Sequence, residues 1–254
     1  MSRPTNTGDS AGQPWEGRSF QPNSRAQDDG SAPPELVAAI EQFHAGTADE
    51  GAVVDVVRGA RFLIPLIAHA GEHGVTDEGL AVDKTQELSI ITVGGPDGRN
   101  VLPVFSSVAA MSSWNAAARP VPAEGVRVAL AAAEEGTDVV VIDPTSETEF
   151  AIRRPALWAI AQSEQWRPSH SDPEVFEAFE RSIGTELAVQ GVALAPGDPE
   201  GRLLGPETVV RLSLASGLTR QELDAVLARL AARWAADEII ASRVDSLKVA
   251  LVAA

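Results

Sequence analysis

Cysteine is absent from this chain of 254 residues, which excludes disulfide bonds and any chemistry that depends on a thiolate. Long apolar runs are absent as well, and none approaches the length of about 18 residues that crosses a bilayer. The first residues, MSRPTNTGDS, contain neither the apolar segment of a secretion signal nor a pair of adjacent arginines. Together these absences predict a cytoplasmic protein.

Positive charge is scarce. The chain has 20 basic residues against 36 acidic ones, a net charge of −16, and only two of the basic residues are lysines. Such a charge repels nucleic-acid phosphates and anionic lipid headgroups, so we predict neither a nucleic-acid partner nor a membrane partner. The acidity is also consistent with solubility alone. If the chain has a partner, a neutral or basic protein is favoured.

Composition indicates a globular chain with an unstructured beginning. Hydrophobic residues make up 44% of the chain and charged residues 22%, which is enough for a sizeable core. Residues 1–33 are rich in Ser, Gly, Asn, Gln, Asp and Pro and show no helical or strand periodicity, so we predict a disordered tail. The rest divides into a first domain over residues 34–165 and a smaller second domain over residues 166–254.

The first domain has the pattern of a mixed sheet with flanking helices. Leu36, Ile40 and Phe43 recur at helical spacing, whereas DVVVID, residues 138–143, is a continuous apolar run typical of a strand covered on both faces. RFLIPLIAHA has the pattern of a strand that Pro65 restricts to an edge or a bulge. GPDG, between QELSIITV and RNVLPVF, has the composition of a turn that joins two antiparallel strands.

The stretch LPVFSSVAAMSSW passes from a strand-like pattern into a helical one at two adjacent serines. We predict that Ser106 is the N-cap of a helix over residues 108–118, with its oxygen accepting a hydrogen bond from the first turn. The alternative is a nucleophile at a strand-to-helix turn, but the glycines of the G-x-S-x-G motif are missing. The capping role is therefore favoured.

Several of these segments resemble one known family when they are taken together. RFLIPL, LPVFSS, the extended connector Pro120-Val121-Pro122 and the strand end VVIDP are similar to the SseB-like, or enhanced serine sensitivity, family over roughly residues 34–165. The resemblance implies the fold of that family's N-terminal domain. It implies no mechanism, because no activity is established for the family.

The second domain has the element order α-β-β-α-β. VVRLSL, residues 209–214, alternates with Val210 and Leu212 on one face, and Thr219 to Glu222 form the pattern of a capping box at the start of a helix. This order predicts a small open-faced sandwich, and it resembles the domain that accompanies the N-terminal one in part of the family. The predicted fold class of the whole chain is therefore α/β (α+β).

One segment has the spacing of a metal site. HAGEH, residues 69–73, formally matches the zinc motif H-x-x-E-H, whose ligands must share one helix face. Gly71 and Gly74 each disfavour a helix there by about 1 kcal/mol. We predict a solvated loop with no bound metal, and we expect no cofactor.

Two functions of different classes remain open. The first is a non-enzymatic interaction or regulatory module with a protein partner, favoured because no nucleophile, base and acid converge in the sequence. The second is a ligand-binding or enzymatic domain. Its site would combine Ser106 and Ser107 at a helix N-terminus with Asp143 at the end of a buried strand. For Asp143, the simpler interpretation is that it starts an Asp-Pro turn.

Overall fold

The N-terminal part of the fold begins with two helices, α1 (Pro34–His44) and α2 (Glu50–Gly59). This computed structural model describes residues 28–69 and 87–253, so most of the predicted tail and of the HAGEH segment lies outside the described residues. Asp49 caps α2 by accepting the Ala52 N–H at 3.0 Å. The residues of α1 that recur at helical spacing are buried, as predicted.

The first sheet contains three antiparallel strands in the order β2-β1-β5, namely β1 (Arg61–His69), β2 (Glu87–Ile90) and β5 (Arg119–Glu124). The prediction that Pro65 confines its strand to an edge or bulge is wrong, because β1 is the central strand. Its outer neighbour changes at this point: Leu63 bridges Phe105, and the pairing with β2 starts at Leu66. The missing N–H of Pro65 therefore falls where the strand exchanges one partner for another.

The connector Pro120-Val121-Pro122 is a strand rather than a linker. It belongs to β5, in which Pro122 lies opposite Leu63 and Pro120 opposite Pro65. Leu63 directs its N–H and C=O away from β5, toward Phe105. Leu63 and the opposite residue, Pro122, are therefore a pair without hydrogen bonds between them. The nitrogens of Pro120 and Pro122 consequently point to the outer edge of β5, where a proline interrupts no ladder.

The second sheet has four strands in the order β3-β4-β6-β7: β3 (Val93–Gly94), β4 (Asn100–Val104), β6 (Val139–Ile142) and β7 (Phe150–Arg153). The predicted GPDG turn joins β3 to β4, which are antiparallel. β4 and β6 are parallel, so the sheet is mixed, as predicted. All four residues of β6 are buried, which confirms that this strand is covered on both faces.

Three more helices belong to this part of the fold: α3 (Val108–Trp114), α4 (Gly125–Glu134) and α5 (Arg154–Gln162). Helices α1, α2, α4 and α5 share one hydrophobic cluster with Val140 and Ile142 of β6. The opposite face of β6 packs in a smaller cluster that contains Leu203, a residue from the C-terminal part of the chain.

The C-terminal part is a sheet with helices on one side. Its elements are a short 3-10 helix, Ser169–Ser171, followed by α6 (Pro173–Ile183), β8 (Val189–Pro196), β9 (Thr208–Leu214), α7 (Arg220–Ala236), α8 (Glu238–Arg243) and β10 (Leu247–Ala253). The strand order is β10-β9-β8, with β9 and β10 parallel and β8 and β9 antiparallel. The predicted capping box is present at Thr219 and Glu222. The mixed α/β fold is confirmed.

The helices cover one face of this C-terminal sheet. Val210 and Leu212 of β9 share a hydrophobic cluster with residues of α6, α7 and α8. Trp234 of α7 stacks edge-on against Phe179 of α6 with ring centroids 5.2 Å apart and donates its indole N–H to the Ser182 hydroxyl at 2.8 Å. Of the helices that the structure describes, none has the length and apolar composition needed to span a bilayer.

Candidate functional site

Two of the three residues predicted to bind a ligand are in direct contact. The buried Asp143 accepts the Ser106 backbone N–H at Oδ1 (2.7 Å) and the Ser106 hydroxyl at Oδ2 (2.6 Å). Ser106 follows β4 and Asp143 follows β6, so the contact joins the carboxyl ends of two parallel strands. The fold itself brings these two residues together, because the ends of parallel neighbours meet at one edge of a sheet.

The helix cap belongs to the second serine, so the prediction that Ser106 caps the helix is wrong. Ser107 is the N-cap of α3, and its hydroxyl oxygen accepts the Ala110 N–H at 3.0 Å. The helix also ends earlier than predicted, at Trp114. The physical reason is that the backbone N–H of Ser106 and its hydroxyl both donate to Asp143, which leaves the next serine to satisfy the first turn.

Both the backbone and the carboxylate of Asp143 make hydrogen bonds. Its backbone N–H donates to the Val104 carbonyl at 2.9 Å, and Oδ2 also accepts the Thr148 hydroxyl at 2.8 Å. Asp143 has φ of 44°, a left-handed conformation that Asp tolerates better than most residues. The carboxylate thus accepts three hydrogen bonds from protein groups, an arrangement that fastens β4 to β6.

This network resembles a structural anchor more than a reaction centre. Ser106 donates its hydroxyl proton to a carboxylate, and no histidine is among the hydrogen-bond partners of Ser106 or Asp143 within the described residues. Ligand binding by Ser106, Ser107 and Asp143 stays a prediction. Across residues 28–69 and 87–253, no group of three His, Asp or Glu side chains is arranged to hold a metal ion.

A second polar cluster, which the sequence patterns did not indicate, lies between β7 and the C-terminal sheet. Arg153, at the end of β7, donates to Asp198 at 2.7 Å and to Asp245 at 3.2 Å. It also donates to the Gly205 carbonyl at 2.8 Å. Arg99, from the turn between β3 and β4, donates to the same Asp245 at 2.9 Å. Both carboxylates that Arg153 contacts in this junction cluster lie next to strands of the C-terminal sheet.

Asp198 orders the loop that follows β8. It accepts the backbone N–H groups of Arg202, Leu203 and Leu204 as well as the Arg153 guanidinium. The same loop places Gly201 against the side chains of Phe43 and Phe150, so that a Cβ at this position would lie 3.1–3.2 Å from their rings. One carboxylate therefore both shapes this loop and pairs with the cation that anchors it to β7.

Burial and neighbouring charges shift the pKa values of this cluster in opposite directions. Burial raises the pKa of Asp245, but the hydrogen bonds and charges of Arg99 and Arg153 lower it more, so it lies below its usual value. Burial raises the pKa of Glu207, whose Oε1 has no hydrogen-bond partner. Burial and the negative charge of Glu207 raise the pKa of Glu50, in the first turn of α2, to about 7.

No local signal in the sequence marks the junction cluster, because its members are far apart in the chain. Arg153 lies 45 residues from Asp198 and 92 residues from Asp245. The positions are nevertheless regular: Asp198 follows β8, Glu207 precedes β9 and Asp245 precedes β10. Acidic residues next to strand ends would have been a weak indication that these ends meet a common cation.

The remaining candidate is a surface, the open face of the C-terminal sheet. We define the open face by three residues from each strand: Gly191, Ala193, Ala195, Val209, Arg211, Ser213, Lys248, Ala250 and Val252. In the strand register they form three rows of three, on the side opposite Val210 and Leu212. None of them belongs to the hydrophobic cluster under the helices. The alternation of VVRLSL did indicate this face, since Arg211 falls between Val210 and Leu212.

Comparison with known proteins identifies the first part of the chain. Residues 36–159 match the family model of the SseB protein N-terminal domain. The chain contains a domain of the SseB-like family. No curated protein and no solved structure matches it. The Ser106–Asp143 network and Arg153 lie within the matched SseB domain, whereas the open face lies outside it.

Proposed function

We propose that this SseB-like chain is a non-enzymatic interaction or regulatory module that binds a protein partner. The observation that supports the proposal is the open face, a sheet surface of mostly small and aliphatic side chains, none of them buried and none in the cluster under the described helices. Val252 is 44% exposed and lies on β10, an edge strand. Exposed apolar surface of this kind is typical of protein-binding sites.

The polar groups best placed for chemistry have structural roles in this proposal. The Asp143 carboxylate accepts hydrogen bonds from Ser106 and Thr148. The Arg153 guanidinium donates to the loop after β8 and to Asp245. A reacting group must be able to reach substrate, whereas Asp143 and Arg153 are buried. A cytoplasmic location is part of the same proposal, because the chain has no cysteine and a net charge of −16.

A second surface has the composition of an interaction site and serves as the comparison in a test. Trp158, on α5, is 47% exposed, and the Arg154 guanidinium lies 5.2 Å from the centre of its ring. Beside it is a groove of about 310 Å³ that Trp166 and Arg243 help to line. Trp and Arg are the residues most enriched among strong contributors to protein binding.

The test is crosslinked affinity purification from the native cell extract, followed by reconstitution with the purified partner. We expect the full chain to recover one protein at near-stoichiometric yield and to bind it directly when both are pure. Recovery should fall in a variant of the open face, Arg211→Glu with Lys248→Glu, or in Trp158→Ala, which tells the two surfaces apart. Arg220→Glu is the matched control, since Arg220 is exposed on α7.

A thermal-shift screen with amino acids and nucleotides tests the alternative function. A ligand present at 100 times its dissociation constant stabilises the folded state by about 2.7 kcal/mol, an increase that is easily seen in the melting temperature. We expect no increase. The interaction proposal would be replaced by a ligand-binding one if two results came together. The chain would recover no partner, and a ligand would raise the melting temperature of the parent but not that of Asp143→Asn.

A further inference from the structure

The open face differs from the rest of the molecule in its charge. Of its nine residues, Arg211 and Lys248 are basic and none is acidic, in a chain whose net charge is −16. Both side chains are exposed. Within the part of the chain that the structure describes, neither makes an ion pair or a side-chain hydrogen bond. They occupy adjacent rows of the face, because Lys248 lies beside Val209 and Arg211 beside Ala250.

The shape of the open face suits a helix. Gly191, Ala193, Ala195 and Ala250 have small side chains, so the surface is flat and allows close approach. Three strands at about 4.8 Å spacing and residues four apart along a strand give a patch about 10 Å by 13 Å. A helix is about 10 Å across, and 13 Å of its length contains about nine residues. Two to three turns of one helix would therefore cover the face.

The strand directions also indicate that the face is normally covered. β9 and β10 are parallel, and parallel strands in α/β folds are usually buried on both faces. Here helices α6, α7 and α8 cover only the face with Val210 and Leu212. A helix on the other face would complete the three layers, helix, sheet and helix, of a common α/β architecture.

We propose that the open face binds an amphipathic helix of a partner protein, whose apolar stripe packs on the small residues while flanking carboxylates pair with Arg211 and Lys248. This inference rests on the proposed function and names the chemistry of the partner. A second copy of this chain is a poorer occupant. If two open faces packed against each other, Arg211 and Lys248 of one copy would face the same two cations of the other and repel them.

The test uses three synthetic helical peptides of 16 residues with the same leucine stripe and with Glu, Gln or Lys at the flanking positions. Their affinities for the full chain are measured by fluorescence anisotropy, and the contact site by chemical-shift changes in the ¹⁵N-labelled chain. We expect the Glu peptide to bind about fivefold or more tightly than the Gln peptide, since each exposed ion pair adds up to about fivefold. The Lys peptide should bind most weakly, and raising the salt should reduce these differences.

Charge reversal makes the test specific. In Arg211→Glu with Lys248→Glu the order of affinities should invert, with the Lys peptide now the tightest, while Arg220→Glu on α7 should keep the parent's order. Shifts should concentrate on the amides of β9 and β10. Arg211→Gln with Lys248→Gln, which should bind the three peptides about equally, provides a second variant if the reversed one folds poorly.

Several outcomes would overturn the inference. These are equal affinity for all three peptides, an order that charge reversal leaves unchanged, shifts centred on Trp158 instead of β9 and β10, or self-association in sedimentation that Arg211→Glu abolishes. The proposed function has its own test in the purification above. If the chain recovers a partner that binds the charge-reversed variant equally well, this inference fails while the proposed function stands.

Discussion

The second sheet of the N-terminal part and the C-terminal sheet are built around the same unit, a parallel pair of strands, but they treat its two faces differently. In the β4–β6 pair every residue from Val139 to Ile142 is buried, with helices on one face and Leu203 in the cluster on the other. In β9 of the β9–β10 pair burial alternates instead. Val210 and Leu212 are fully buried under helices, whereas Arg211 between them is exposed.

The β4–β6 sheet is covered on both faces by elements of the chain, whereas the described residues leave one face of the C-terminal sheet uncovered. The loop after β8 provides Leu203 to close the second face of the β4–β6 sheet, yet no described element does the same for the open face. An uncovered face is therefore not a general property of this fold. The β4–β6 sheet lacks one, which makes the C-terminal sheet the better of these two places to look for a partner.

The largest expected effect comes from breaking the link between the two sheets at Arg153. Arg153→Met leaves Asp198 and Asp245 buried with less or no cationic compensation, so we expect unfolding to become easier by about 3–5 kcal/mol. Urea denaturation of the full chain measures this. Arg99→Met is the control, because Arg99 is more exposed and removing it leaves Arg153 on Asp245. An equal loss in both variants would show that Arg153 has no special role.

The comparison of the two faces can be tested directly with three alanine variants. Ile142→Ala and Leu212→Ala each remove a fully buried side chain and should cost about 2–5 kcal/mol. Val252→Ala, on the open face, should stay within about 0.5 kcal/mol of the parent. Denaturant midpoints decide the matter. A loss of 2 kcal/mol or more (roughly the lower end for a buried residue) in Val252→Ala would mean that this face is covered in the free chain.

The serine pair tests what holds the carboxyl ends of β4 and β6 together. Ser106→Ala leaves Asp143 Oδ2 with Thr148 alone and should cost about 1–3 kcal/mol, whereas Ser107→Ala removes a helix cap and should cost about 0.5–2 kcal/mol.

Aspartate distinguishes the two positions more sharply than alanine. Ser106→Asp would place a second buried carboxylate against Asp143 and should be worse than Ser106→Ala. Ser107→Asp should be tolerated, because Asp also caps helices and its charge suits a helix N-terminus. Melting temperatures of the four variants provide the check. The opposite order for aspartate would return the capping role to Ser106.

The last expected effect is a dependence on pH at Glu50, where the N-terminal part meets the C-terminal sheet. Its pKa is raised from 4.5 to about 7, so the folded chain disfavours the charged form. The resulting destabilisation is absent below about pH 4.5, grows up to about pH 7 and is complete above it. The shift corresponds to about 3 kcal/mol, which the partial exposure of Glu50 reduces to about 1–2 kcal/mol.

Glu50→Gln should therefore be more stable than the parent at pH 8 by that amount, and the gain should shrink as the pH is lowered toward 5. Glu41→Gln, at an exposed position of α1, is the matched control for the loss of one carboxylate. Urea midpoints across the range measure both. A gain that is the same at pH 5 and pH 8 would exclude the titration of Glu50 as its cause.

Local chemistry allowed much of the fold to be predicted from the sequence. The capping box at Thr219, the GPDG turn and the apolar run of β6 each depend on residues that are close in the chain. The errors arose where a distant partner decided the outcome. Pro65 lies in a central strand because Phe105 and β2 share its outer side, and Ser107 is the cap because Asp143 engages Ser106.

The same reason explains what was missed at the candidate sites. The sequence placed Asp143 at the end of a buried strand and Ser106 after another strand, but their contact requires the parallel pairing of β4 and β6. Arg153 gave no indication of its partners, which come from loops far along the chain. The cations of the open face were visible as alternation, although only the strand order shows that Arg211 and Lys248 lie on neighbouring strands.

The prolines of β5 have a consequence for how the molecule behaves at high concentration. The nitrogens of Pro120 and Pro122 point outward and carry no N–H, so that edge lacks two of the donors that a strand of another chain would need for pairing. This is one way in which proteins prevent edge-to-edge aggregation. β10, with the sequence LKVALVA, has no proline, and Lys248 is its only charged residue. Lys248 thus acts as a gatekeeper, and replacing it with a neutral residue should lower the protein's solubility while leaving its fold intact.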